Sequence, residues 1–381
     1  MPSLPILDLP DALNYVGVFL TLDCNLNCAY CINDPEQSGD RAKVFRIHRQ
    51  RELTPEQWAR GLARIPFRDD LPLTLQGGEP MLYQKGEGVG LLLEALPHYF
   101  DVLTNLTLKP EAFSNALRGQ HAKLKRDAPY PSIRVSFHGD EMNRIWKNRG
   151  FEELVNRCEG LGRFGFDVSP VKKDSDVGIY MVAHPDNPSF EALAPIAAGR
   201  VPFETKEFLG VHQGKLYGHY RYPHSTDLVV RGIHPRPLEC ECRTSELLLD
   251  PLGFVWGCHL YLYETWKAGG MQTEFDRLQA VDFRLKAHYG EVCRDAPYLP
   301  VGHILDADFA MADLAQFHPC RYYGLCIGCD TKVKNDRFQN YYDRAVAHTS
   351  VEIRDIRMPN SLLAALDEDE RKAPWLTPTP D

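Results

Sequence analysis

Cysteine placement constrains this chain more than any other feature. Nine of the eleven cysteines fall in three triplets: Cys24, Cys28 and Cys31; Cys240, Cys242 and Cys258; Cys320, Cys326 and Cys329. Only Cys158 and Cys293 stand apart. Met1–Pro10 has no basic stretch followed by an apolar core, so no secretory signal is expected. An odd count without such a signal points away from a disulfide framework and toward metal ligation or redox chemistry. The first triplet puts three thiols on one short stretch, Cys24-x3-Cys28-x2-Cys31. A [4Fe–4S] cube usually takes four cysteines, so three leave one iron open to bind and activate a ligand. A zinc knuckle borrowing a distant fourth ligand is the competing reading.

The rest of the sequence limits what surrounds that loop. The chain has 381 residues with 52 acidic against 43 basic side chains, a net charge of −9. A mildly acidic chain lacks the concentrated Lys/Arg that phosphate neutralisation needs, so no nucleic-acid partner is expected. No stretch approaches the roughly 18 apolar residues of a membrane span, so no membrane partner is expected either. At about 150 residues per domain the length suggests two domains with a small third. Apolar runs at Val16–Leu22, Leu73–Gln76, Val102–Thr104, Ile133–Phe137, Gly178–Ala183 and Lys206–Gly210 read as strands, spaced widely enough for crossover helices. Thr54-Pro55-Glu56-Gln57 reads as a capping box with Pro at the first helical position. Phe151, Leu154, Val155, Cys158 and Leu161 share one face at helical spacing, which makes Cys158 a buried apolar residue.

Six such units predict an α/β fold, a partial (β/α)6 TIM-type barrel whose functional loops follow the strand C-termini. The Cys24 triplet directly follows the first strand, and Gly77-Gly78-Glu79-Pro80 directly follows the second. Val211–Ser225 reads as a loop. Glu246–Asp250, Pro251-Leu252-Gly253 and Phe254–Trp256 read as a hairpin leading into Cys258. The last thirty residues read as a solvated helix end and tail.

Cys24-Asn25-Leu26-Asn27-Cys28-Ala29-Tyr30-Cys31 resembles the CxxxCxxC motif of the radical S-adenosylmethionine (SAM) superfamily. The resemblance implies that Cys24, Cys28 and Cys31 hold a [4Fe–4S] cluster whose open iron chelates the methionine part of SAM. It implies that Tyr30 contacts the adenine, and that reductive cleavage yields a 5′-deoxyadenosyl radical. Gly77, Gly78 and Glu79 resemble the family's GGEP turn, whose carbonyls and glutamate receive the methionine ammonium. Read by itself, the same stretch is a tight Gly-Gly turn. Ser136-Phe137-His138-Gly139-Asp140-Glu141, with Arg149-Gly150-Phe151-Glu152, is similar to the stretch that binds the methionine carboxylate in the auxiliary-cluster subgroup. That implies a role for Ser136 and for Lys147 or Arg149. Thr104-Asn105-Leu106-Thr107-Leu108 is similar to that subgroup's TNGTLL. Two departures stand out: His138 replaces the usual Asp, and Leu106 replaces the usual Gly.

Cys242-x10-Gly253-x4-Cys258 resembles the opening of SPASM and twitch domains, which bind auxiliary [4Fe–4S] clusters, and Cys320-x5-Cys326-x2-Cys329 resembles their later portion. Phe317 and His318 stand where a further cysteine is usual. No cysteine follows Cys329. The deficit favours one auxiliary cluster, held by Cys242, Cys258, Cys326 and Cys329 with Cys240 and Cys320 as alternates; two clusters are the second reading. His259 stands where related enzymes carry a basic Asp, which implies a proton acceptor; a packed or exposed His is the plain alternative. The resulting division is a radical SAM core over 1–210, a connecting loop over 211–239, a SPASM/twitch-like domain over 240–335, and a C-terminal helix and tail over 336–381.

The expected activity is hydrogen abstraction from a peptide or protein side chain, giving cross-linking or oxidation with the auxiliary cluster as electron acceptor. The expected electron donor is a reductant such as flavodoxin or ferredoxin. Arg41, Lys43, Arg46, Arg49 and Arg51 form a basic run that would steer an acidic leader peptide, or more simply be a solvated helix face. The alternatives are a twitch-type small-molecule dehydrogenase and a non-catalytic iron–sulfur or zinc protein. Oxygen-labile clusters and the missing signal imply a reducing cytoplasm.

Overall fold

The computed structural model describes residues 4–10, 13, 15–28, 31, 52–125, 130–208, 210–212, 215–217, 238–244, 246–257, 300–311, 317–323, 351–364, 368–372 and 376–380. Six strands, β1 (Tyr15–Thr21), β2 (Leu73–Gly77), β3 (Phe100–Thr104), β4 (Ile133–Phe137), β5 (Val177–Ala183) and β6 (Phe203–Glu207), lie side by side in chain order. Every neighbouring pair among them is parallel. Helices α1 (Pro55–Leu62), α2 (Gly88–Ala95), α3 (Pro110–Ala116), α4 (Gly139–Ile145), α5 (Gly150–Leu161) and α6 (Phe190–Ala197) fall between them. This is a mixed α/β architecture around a mostly parallel sheet, as the strand and helix patterns predict.

Strand alternation explains which face meets the helices. Val16, Val18 and Leu20 of β1, Leu73 and Leu75 of β2, Phe100 and Val102 of β3, and Ile133 and Val135 of β4 are fully buried. They form one core with Trp58 and Leu62 of α1, Leu92 of α2, Phe113 of α3, and Leu154, Val155 and Cys158 of α5. The intervening positions carry polar groups: Tyr15, Thr74, Gln76, Asp101, Arg134, Ser136 and Tyr180. On this second face Arg134 Nη2 pairs with Asp101. Thr74 Oγ1 donates to Asp101 Oδ2 at 3.2 Å, and Gln76 Nε2 donates to the Tyr15 hydroxyl at 3.1 Å.

α1 starts as its sequence predicts. Thr54 caps it, with Gln57 N donating to Thr54 Oγ1 at 3.3 Å and Thr54 N donating back to Gln57 Oε1 at 2.8 Å.

Later elements extend this sheet and build another. After β7 (Gly210–His212) and β8 (Lys215–Tyr217), which pair antiparallel, come β9 (Leu238–Thr244), β10 (Glu246–Leu249), β11 (Phe254–Trp256), β12 (Gly302–His303), β13 (His318–Tyr323), β14 (Val351–Pro359) and β15 (Leu376–Thr379). β10 pairs parallel with β1 on the side away from β2, and β11 and β12 continue antiparallel from it. The larger sheet therefore has nine strands in the order β12-β11-β10-β1-β2-β3-β4-β5-β6. The smaller has four, ordered β13-β9-β14-β15.

Three local readings change. β6 occupies 203–207 rather than Lys206–Gly210, because its Phe203–Glu207 run pairs residue by residue with Ile179–Ala183. Part of the loop read over 211–225 is the β7/β8 hairpin. The chain from Val351 to Pro359, read as tail, is a strand. Its apolar/charged alternation is broken at Asp355, which takes φ +50° where the register against β9 shifts, as in a bulge.

Candidate functional site

The two motifs that follow β1 and β2 are joined directly. Gly78 N donates to the Thr21 carbonyl and Glu79 N to the Asp23 carbonyl, both at 2.7 Å. The glycines are what permit this approach. A Cβ on Gly77 would lie 2.1 Å from the Thr21 oxygen, and one on Gly78 2.2 Å from the Asp23 oxygen. Gly77 also takes φ +145°, a conformation side-chain-bearing residues rarely adopt. The Gly-Gly-Glu turn is thus pressed against the residues that lead into Cys24.

Glu79 is 1% exposed and fully engaged. Its Oε1 accepts from Thr104 Oγ1 at 2.8 Å and Met81 N at 3.1 Å, and its Oε2 accepts from Asn105 N at 2.7 Å. Burial pushes its pKa up to about 7, against the pull of those three donors. Through these bonds it fixes the turn after β3. Leu106 N donates to Thr104 Oγ1 at 3.0 Å. Leu106 itself adopts φ +48° while 1% exposed. The turn that the resemblance fills with glycine is therefore kept, and burying a leucine, worth about 1.5–3 kcal/mol, offsets a left-handed cost of about 1–2 kcal/mol.

Of the three cysteines, Cys28 is buried and Cys24 and Cys31 are half-buried. Leu26 N donates to Cys24 Sγ at 3.4 Å and Asn105 Nδ2 donates to the same sulfur at 3.7 Å. Cys31 N donates to the Cys28 carbonyl at 3.1 Å. Asn27 N donates to Glu141 Oε2 at 2.9 Å, tying the loop to α4. Among the described residues no three His, Cys, Asp or Glu side chains are gathered to hold a metal ion. The donor chemistry nevertheless fits an iron–sulfur cluster: three thiols on one loop, one of them facing two N–H donors that favour thiolate. Convergence of such ligands normally accompanies metal uptake.

β4 delivers the third group. Ser136 is half-buried on the polar face at the strand's C-terminal end. His138 follows it, and desolvation pushes its pKa down to about 4 despite nearby Glu141, so the ring is neutral. Gly139 N donates to Asn187 Oδ1 at 3.1 Å, linking the β4 and β5 ends. Lys147 and Asn148 adopt φ +51° and +65° before α5. Arg149 is exposed and 3.0 Å from Glu152.

The structure thus brings together the cysteine loop, Gly77, Gly78, Glu79 and the turn after β3. It places Ser136 on the neighbouring strand end and Arg149 on the surface. Asn105 and Glu141 lie inside stretches that motif reading quoted without giving them a role, and Asn187 lies outside those stretches; all three contribute here. Each lies a few residues past a strand C-terminus, the position from which barrel loops act. Tyr30, Cys258, His259, Cys326 and Cys329 lie outside the described residues. Cys240 is buried. The β9/β13 register sets Cys240 opposite Cys320 and Cys242 opposite His318. No described helix is long and apolar enough to cross a membrane.

No family model and no curated protein matches the chain. Among solved structures it is similar to SuiB of Streptococcus suis bound to S-adenosylmethionine, at 13% identity and a TM-score of 0.38. SuiB without a named ligand gives 13% and 0.36, and SuiB bound to the precursor peptide SuiA gives 12% and 0.38. Each match covers 68% of this chain and 61–62% of the SuiB chain, less than two thirds of the neighbour's length.

Proposed function

We propose that this chain is a radical SAM enzyme acting on a peptide or protein side chain. The observation that carries the reading is the pair of 2.7 Å bonds joining the Gly-Gly-Glu turn to Thr21 and Asp23, just before Cys24. An electron carrier needs no such turn beside its cysteines, and a zinc knuckle needs none either.

Cys24, Cys28 and Cys31 would hold the cluster. With its fourth iron open to SAM, it would supply one-electron reductive cleavage and a 5′-deoxyadenosyl radical. The carbonyls of Gly77 and Gly78 would accept the methionine ammonium. Glu79, which accepts from Thr104, Met81 and Asn105 and so holds that turn in place, would use its remaining acceptor capacity on the same ammonium. Ser136 and either Lys147 or Arg149 would bind the carboxylate. The Arg149–Glu152 pair is exposed and worth at most about 1 kcal/mol, so it leaves the guanidinium available. Tyr30 would face the adenine.

Cys242, Cys258, Cys326 and Cys329 would hold one auxiliary cluster, with Cys240 and Cys320 as alternates and two clusters as the second reading. Gly253 supports this spacing. It takes φ +89° in the β10/β11 turn, and a Cβ there would stand 2.7 Å from Leu53 Cδ1 and 2.9 Å from His303 Cε1. The cross-strand register of Cys240 and Cys320 supports a shared site on the β9/β13 ribbon. His259, next to Cys258, is the proposed proton acceptor for the oxidised substrate carbon. Flavodoxin or ferredoxin would supply the electron. The cysteine deficit keeps a small-molecule dehydrogenase as the second reading.

The test is anaerobic incubation of reconstituted protein with SAM, dithionite and a peptide encoded beside its gene. The expected product is lighter than the peptide by two hydrogens, the change common to cross-linking and oxidation. An unchanged peptide alongside an oxidised alcohol substrate would move the assignment to the small-molecule class.

A further inference from the structure

We infer that Asn105 is a positioning residue that sets the reduction potential of the SAM-binding cluster through its N–H bond to Cys24; this rests on the radical SAM reading. The geometry fixes which end of the amide faces the sulfur. Asn105 Oδ1 accepts from Thr107 N at 3.0 Å and from Thr107 Oγ1 at 2.6 Å. A backbone N–H can only donate, so the oxygen of the amide must lie on that side. Nδ2 is left to donate to Cys24 Sγ at 3.7 Å and to Asn25 Oδ1 at 3.0 Å. Asn25 Nδ2 in turn donates to Thr107 Oγ1 at 2.6 Å. The three side chains close a ring, and Cys24 receives the second N–H of the Asn105 amide.

The ring is anchored from the other motif. Asn105 N donates to Glu79 Oε2, and Thr104 Oγ1 donates to Glu79 Oε1. The left-handed Leu106 turns the chain so that Thr107 folds back onto the Asn105 amide. A displacement of the Gly-Gly-Glu turn is therefore passed through Glu79 to the donor on Cys24. Cys24 Sγ accepts from two donors, Leu26 N and Asn105 Nδ2. Hydrogen bonds to ligand sulfur stabilise the reduced, more negative cluster and raise its potential.

The experiment is a redox titration of full-length reconstituted protein, following the reduced-cluster electron paramagnetic resonance signal that changes when SAM is added. Asn105→Ala is expected to keep the iron and sulfide content of the parent and to shift the midpoint to a more negative potential. Asn105→Asp, which keeps the shape but puts a carboxylate oxygen against the sulfur, is expected to shift it further. Thr107→Val, which loosens the amide without touching the sulfur, is expected to shift it less. An unmoved midpoint in Asn105→Ala or in Asn105→Asp, with cluster content retained, overturns the inference and leaves the radical SAM reading standing. A parent protein that assembles no SAM-responsive cluster overturns both.

Discussion

At the scale of single residues, Gly78 is, with Gly77, a tight constraint around the cysteine loop. A methyl group there would lie 2.2 Å from the Asp23 oxygen and 2.6 Å from the Leu22 oxygen, both backbone atoms that cannot swing aside. Gly78→Ala should separate the turn from β1 and break the bonds from Gly78 N and Glu79 N. Overpacking and two lost hydrogen bonds together should cost on the order of 3 kcal/mol in urea unfolding. A cost below about 1 kcal/mol would mean that the turn does not bear on β1 in solution. Glu79 gives a pH test. Its folded pKa of about 7 lies above the ordinary 4.5, so the folded protein binds this proton more tightly than the unfolded chain. Its contribution to stability is full below pH 4.5 and is lost as pH rises through 7. The stability of the parent relative to Glu79→Gln should therefore fall by about 3 kcal/mol between pH 4.5 and 8, read by unfolding at each pH. The glycines and the cysteines were legible in the sequence because only glycine allows such contacts and only clustered thiols suggest a metal. The Thr104–Leu108 stretch was legible too, but the bond from Asn105 to Cys24 was not, since an asparagine after a strand reads as ordinary turn chemistry until Thr107 and Cys24 are seen around it.

At the scale of elements, the polar face of the sheet is tied across strands rather than along them. Asp101 of β3 accepts from Arg134 of β4 and Thr74 of β2, and it is fully buried. Asp101→Ala would leave the Arg134 guanidinium buried without its counter-charge. That change should destabilise the protein by about 3–5 kcal/mol in denaturant unfolding, whereas an exposed pair such as Arg149–Glu152 should contribute under 1 kcal/mol. The parallel strands were readable as short apolar runs because their helix-facing positions are mostly Val, Ile, Leu or Phe. β6 and β14 were not read correctly. β6 is an edge strand carrying Glu204, Lys206 and Glu207, and its position is set by pairing with β5. β14 hides its alternation behind the bulge at Asp355.

At the scale of the whole molecule, segments distant in sequence close around Arg64. Its guanidinium donates to the carbonyls of Pro5 at 2.9 Å, Ile304 at 2.9 Å, Asp306 at 2.6 Å and Phe309 at 2.8 Å. Burial lowers its pKa, and the Asp306 charge opposes that shift. Arg64→Met keeps the apolar stem but strips four carbonyls of their donor, for an expected loss on the order of 4 kcal/mol by urea unfolding. Nothing in the sequence marks Arg64 as different from its neighbours, because its partners are backbone atoms 59 and 240 or more positions away. The same long-range closure puts β10, β11 and β12, expected in the C-terminal unit, on the sheet that carries the cysteine loop.

If the Cys24–Cys31 loop and the Gly-Gly-Glu turn act as one SAM-cleaving site, the most direct measurement is 5′-deoxyadenosine formed from SAM after anaerobic reduction of the reconstituted protein. The parent chain is expected to form it, and Cys24→Ala, Cys28→Ala and Cys31→Ala alike are expected to lose it. A parent chain that binds iron yet yields no 5′-deoxyadenosine, or a cysteine variant that yields as much as the parent, would contradict the single-site reading.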